Sequence, residues 1–146
     1  MIIINKRNLF FLISVWLLST LLSAQNVTIS TPHTQLLLSV PNGGTPEQLY
    51  YGSRTSDADI RSICETARRR NAYPVYGMGY PCETALSVRH ADGNLTLQMA
   101  VIGVKETRLT KENATLTVIE LKDKVYPFFV NICYKAWQDA DVIETW

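Results

Sequence analysis

The strongest constraint on this chain is a series of short apolar–polar alternations, each closed by a turn rich in Gly, Pro, Asn or Asp. Residues 27–31 alternate. Residues 35–40 form a compact apolar run ended by Pro41-Asn42-Gly43-Gly44, and residues 48–52 follow as its hairpin partner. A second hairpin is predicted from residues 85–90 and 94–101 across Ala91-Asp92-Gly93, because glycine tolerates the positive φ of a tight turn. Residues 115–121 and the long run 125–137 follow, with Pro127 confined to a strand entrance or edge. The last alternation is Asp141-Val142-Ile143-Glu144-Thr145-Trp146. Seven or eight strands with almost no helix predict an all-β fold, an antiparallel β-sandwich. A final strand carrying Val142, Ile143 and Trp146 needs cover from another chain or from a C-terminal continuation, since an open apolar edge invites aggregation.

One segment departs from this period. Ser56-Asp57-Ala58-Asp59 has the form of a capping box, and Ile60, Ile63, Cys64 and Ala67 fall at helical spacing. A short helix is predicted over about 57–69, its carboxylates at the N-terminal end and its arginines at the C-terminal end, as the helix dipole favours. The stretch Tyr73-Pro74-Val75-Tyr76-Gly77-Met78-Gly79-Tyr80-Pro81 then reads as an aromatic loop stiffened by prolines.

The first 24 residues stand apart. Lys6 and Arg7 precede an apolar run over residues 9–22, and Ser23-Ala24 supplies small residues before Gln25, the layout of a secretory signal. The chain is therefore expected to be exported, with one domain over 25–146 and no membrane attachment after cleavage. Two of the 14 basic residues lie in the leader, which leaves 12 against 13 acidic ones. A near-neutral domain gives no electrostatic case for nucleic acid. Cys64 and Cys82 lie close enough in sequence to pair, and the sequence leaves open whether they do; Cys133 reads as a small buried hydrophobe in a strand. No Cys or His spacing suggests a metal, and no phosphate-binding loop or nucleophile elbow is present, so no cofactor is expected.

Hydrolysis of a sugar bond needs two carboxylates flanking one site. Asp57 with Asp59, and Asp139 with Asp141, are the close pairs, explained first by helix capping and by solvation. His33 and His90 read as loop and hairpin residues. Tyr73, Tyr76 and Tyr80 could offer rigid aromatic faces to sugar rings, or pack a sandwich edge.

Taken in order, Thr31-Pro32-His33-Thr34-Gln35-Leu36-Leu37-Leu38, Leu49-Tyr50-Tyr51-Gly52, Ala72-Tyr73-Pro74-Val75-Tyr76-Gly77, His90-Ala91-Asp92-Gly93-Asn94, Leu121-Lys122-Asp123 through Tyr126-Pro127, and the closing Asp141–Trp146 block resemble the N-terminal domain of glycoside hydrolase family 36 α-galactosidases. The resemblance implies part of a β-supersandwich similar to the galactose mutarotase type. In that family a (β/α)8 barrel follows and carries the catalytic aspartates. No catalytic residue is therefore expected here, and the chain is expected to be an incomplete, non-catalytic piece of a secreted α-galactosidase. The implied partners are that barrel or neighbouring subunits, with α-galactosides met only through the barrel. Asp57, Asp59, Tyr73, Tyr76 and Tyr80 are the candidates for sugar-site contacts. The competing expectations are a free-standing secreted carbohydrate-binding sandwich, or an inactive remnant.

Overall fold

The computed structural model describes residues 25–146; the leader predicted over 1–24 lies outside the described residues. The element order is β1 (Gln25–Ser30), β2 (Thr34–Val40), β3 (Glu47–Ser53), α1 (Asp57–Thr66), β4 (Arg70–Asn71), β5 (Met99–Leu109), β6 (Ala114–Asp123), β7 (Phe129–Trp137) and β8 (Ile143–Thr145). These strands make two four-stranded antiparallel meanders, β1-β2-β3-β4 and β5-β6-β7-β8. The expected all-β sandwich, with one short helix among the described residues, is therefore present.

The two sheets share one core. Val27, Ile29, Leu36, Leu38 and Val40 of the first sheet meet Met99, Val101, Ile119, Leu121, Ile132 and Tyr134 of the second. The continuous apolar run of β2 has a specific cause: both of its faces are covered. Leu36, Leu38 and Val40 enter the core, while Gln35, Leu37 and Ser39, on the opposite face, are equally buried. On that outer side Thr55 donates to Gln35 Oε1 at 3.0 Å, Arg69 to Ser39 Oγ at 3.2 Å, and Asn26 Nδ2 to Cys64 Sγ at 3.2 Å. A strand buried on both faces loses its period-2 signature.

Helix α1 starts as its sequence requires. Ser56 Oγ accepts from the Asp59 amide at 3.3 Å, and Asp59 Oδ2 accepts from the Ser56 hydroxyl at 2.7 Å. The helix stops at Thr66 rather than Arg69, with Ala67 already extended. Ile60, Ile63, Cys64 and Ala67 are its half-buried residues, the predicted face.

Three local expectations change. Residues 85–98 form no strand: Asp92-Gly93 does turn, with the Asn94 carbonyl accepting from His90 at 2.9 Å, but Leu86 pairs by a lone bridge with Val75. The chain on either side of that turn spends its hydrogen bonds on the aromatic loop. Strand β5 begins only at Met99 and runs on to Leu109, through residues 105–108, which are exposed and carry no apolar pattern. Strand β7 begins at Phe129 rather than Val125, because residues 124–128 wrap the Asp123 carboxylate. Cys64, Cys82 and Cys133 are free thiols, and Cys133 is half-buried on the outer face of its sheet.

Strand β8 pairs with β7 alone among the described residues, and the pairing continues through mutual hydrogen bonds between Cys133 and Trp146 of 3.0 and 3.2 Å. The Trp146 side chain is 62% exposed.

Candidate functional site

The aromatic loop is held by its backbone. Ala85 donates to the Pro74 carbonyl at 2.8 Å and Leu97 to the Tyr76 carbonyl at 3.0 Å, while Val75 between them is fully buried. Gly77 has a φ of +97°, and a Cβ there would meet Thr96 Cγ2 at 2.2 Å, so only glycine lets the two segments approach this closely. This anchoring divides the three tyrosines. Tyr73 packs against the core, and burial raises its phenol pKa. Tyr76 and Tyr80 stand outside, 56% and 44% exposed. A cleft of ≈ 260 Å³ beneath Gly77 and Met78 is bordered by Gln98, Met99 and Lys124.

The predicted carboxylates lie elsewhere. Asp59 is engaged in the capping box and Asp57 is exposed in the first helical turn. None of the three clefts described for the molecule is lined by Asp57, Asp59, Tyr73, Tyr76 or Tyr80.

Two polar assemblies escaped sequence reasoning. Asp123, a buried carboxylate in β6, accepts from the backbone amides of Gln98 at 2.6 Å, Val125 at 2.8 Å and Tyr126 at 2.7 Å. Burial works to raise its pKa, but the three amides prevail and hold it below the ordinary value. Beside it, His90 stacks on Tyr126 with ring centroids 3.6 Å apart, and the Tyr126 hydroxyl donates to Asp92 Oδ2 at 2.7 Å. That bond lowers the Asp92 pKa and raises that of Tyr126.

The second assembly clasps the two sheets. Asp141, just before β8, bonds His33 Nδ1 through Oδ2 at 2.9 Å, and its Oδ1 accepts from the His33 amide at 2.8 Å and the Thr31 hydroxyl at 2.9 Å. The His33 side chain is the first cause of its lowered pKa. Gln138 Nε2 adds a bond to the Ser30 carbonyl at 3.0 Å. The signal was present in Asp139 and Asp141, but sequence spacing could not reveal a partner 108 positions away.

These features define a small antiparallel two-sheet sandwich domain, with an anchored aromatic loop and with its carboxylates occupied in structural roles or left on the surface. The model of the glycosyl hydrolase family 36 N-terminal domain matches residues 44–146, and the chain belongs to that family. Comparison with curated protein sequences returns no significant match. Among solved structures, a variant of the family 36 α-galactosidase AgaA from Geobacillus stearothermophilus, in complex with 1-deoxygalactonojirimycin, is similar with a TM-score of 0.72 at 15% identity, over 83% of this chain and 21% of that one. The α-galactosidase from Lactobacillus brevis gives 0.70 at 16% identity, over 84% and 21%. The galactosidase domain of the α-galactosidase–sucrose kinase AgaSK gives 0.64 at 21% identity, over 81% and 21%. At these identities the likeness is one of fold, and the chain spans about a fifth of the length of each relative.

Proposed function

We propose that this chain is the non-catalytic, carbohydrate-associated N-terminal domain of a secreted α-galactosidase, and that it shapes a sugar site and makes interdomain or subunit contacts. The family match over residues 44–146 carries the reading. It is supported by the anchored loop that exposes Tyr76 and Tyr80, and by the outer edge of β8, which has no partner strand among the described residues. In this reading the loop, with Asp57 and Asp59, borders a pocket whose catalytic groups belong to a barrel domain. Residues 1–24 act as the export signal. No helix among the described residues is long and apolar enough to cross a membrane.

Two measurements test it. The purified chain is expected to leave an aryl α-galactoside uncleaved; turnover by this chain alone would overturn the non-catalytic assignment. Grafted in place of the matching segment of the Geobacillus enzyme, which has also been solved in complex with raffinose, the chain is expected to sustain raffinose hydrolysis. In that graft Tyr76→Ala and Tyr80→Ala are expected to raise KM several-fold. A graft that hydrolyses raffinose with an unchanged KM in both variants would remove the loop from the sugar site.

A further inference from the structure

Strand β1 begins at the residue where the sequence places the end of the leader. Gln25 is its first residue, standing opposite Val40 of β2, with Asn26 opposite Ser39 and Val27 opposite Leu38. The β1–β2 hairpin closes with the Thr31 amide donating to the Thr34 carbonyl at 2.9 Å. Hydrogen-bonded pairs recur at every second residue of an antiparallel ladder, so they fall at Ile29/Leu36, Val27/Leu38 and Gln25/Val40. Gln25 is thus the last rung, on a strand that pairs with β2 alone among the described residues. Its neighbour Asn26 donates its side-chain amide to Cys64, whereas Gln25 is exposed and its carboxamide bonds no described residue. The core starts only two positions later, where Val27 and then Ile29 are buried.

Removal of residues 1–24 makes Gln25 the amino terminus. A terminal glutamine carries its own electrophile: the α-amine reaches the side-chain carboxamide through a five-membered ring. The neutral amine attacks Cδ, the new N–Cδ bond closes the ring, and the Cδ–Nε2 bond breaks. Nε2 leaves as ammonia, taking the proton that the amine gives up. Nothing is oxidised or reduced and no co-reactant is consumed. An α-amine titrates at about 7.7–8.0, so part of it is neutral and nucleophilic near neutral pH. The fold tolerates the product. The ring fixes the direction of the remaining N–H, so at most the Gln25–Val40 rung is given up. Terminal rungs open at almost no free-energy cost, and the pairs that carry core side chains are untouched.

We infer that Gln25 is a modification site, which rests on the reading of residues 1–24 as the export signal: once they are removed, its amine and carboxamide condense to pyroglutamate and block the amino terminus of β1. Burial gives the block its purpose. An exopeptidase that removed Gln25 and Asn26 would reach Val27, and losing Val27 takes a core side chain from an edge strand. A lactam presents no free amine to such an enzyme.

The test recovers the chain from the cells that naturally make it and weighs its N-terminal peptide. That peptide is expected to start at Gln25 and to be lighter by one ammonia. A peptide that starts at Gln25 with a free amine overturns the modification and leaves the export reading standing. A chain that still carries Met1, or that is cut elsewhere, overturns both. A second measurement exposes the recovered chain to an aminopeptidase beside a Gln25→Ala chain that starts at the same position. The parent is expected to stay intact while the variant is trimmed toward Val27. Equal trimming of the two, or equal resistance, would overturn the protective role. Gln25 is exposed at a strand end, so the variant leaves the core alone, and failure of the grafted enzyme leaves both measurements unaffected.

Discussion

At the scale of single residues, carboxylates do structural work that their neighbours in sequence do not announce. Asp123 satisfies three backbone amides around the β6–β7 loop. Asp123→Ala strands those donors and is expected to cost about 2–4 kcal/mol, read as a lower urea midpoint at unchanged slope. Asp92, Asp123 and Asp141 all have pKa values below the ordinary 3.8 in the folded state. A carboxylate depressed on folding stabilises the protein above its unfolded pKa and loses that contribution as pH falls through the folded value. The urea midpoint is therefore expected to be level from neutrality to about pH 5 and to drop below about pH 4. Asp141→Asn, which keeps the shape of the clasp to His33 but does not titrate, is expected to make that acid drop shallower. An acid limb unaltered in the variant would exclude Asp141 as a contributor.

At the scale of elements, local chemistry accounts for what was legible. The α1 capping box was readable from Ser56 and Asp59, and it forms. Ser56→Ala is expected to cost about 1 kcal/mol and to raise amide exchange within α1 ahead of the sheets. The β2–β3 hairpin was equally readable from Pro41-Asn42-Gly43-Gly44. The predicted hairpin at residues 85–101 was misread because alternation reports a half-buried segment, not its hydrogen-bond partner. Leu86 and Val88 do pack against the core, but the backbone around them bonds to the aromatic loop. That packing makes Gly77→Ala a sharp probe. Positive φ and the Thr96 contact should together cost more than the roughly 1 kcal/mol typical of a point change. Adding Thr96→Ala should recover part of the loss by removing Cγ2, but not the part due to backbone conformation.

At the scale of the whole molecule, the two meanders are separate in hydrogen bonding and joined in packing, because the core takes side chains from both sheets. Ile119, fully buried in β6, touches that shared core, so Ile119→Ala is expected to cost about 2–5 kcal/mol and to lower the midpoint of both sheets together. In the domain 25–146, whose tryptophans are Trp137 in β7 and Trp146 just past β8, tryptophan fluorescence and far-ultraviolet dichroism should give coincident transitions; separated ones would show that the sheets unfold independently. The class of fold, helix α1 and most strands were determined by sequence alone, since alternation, turn residues and capping act within a few positions of themselves. Tertiary structure alone decided the ends of β5 and β7, the Asp141–His33 clasp, and the one-residue slip of the β2–β3 register between Leu37 and Leu38. Each of these depends on groups from distant parts of the chain meeting in space, and a burial pattern along the sequence shows that a residue is covered without showing by what.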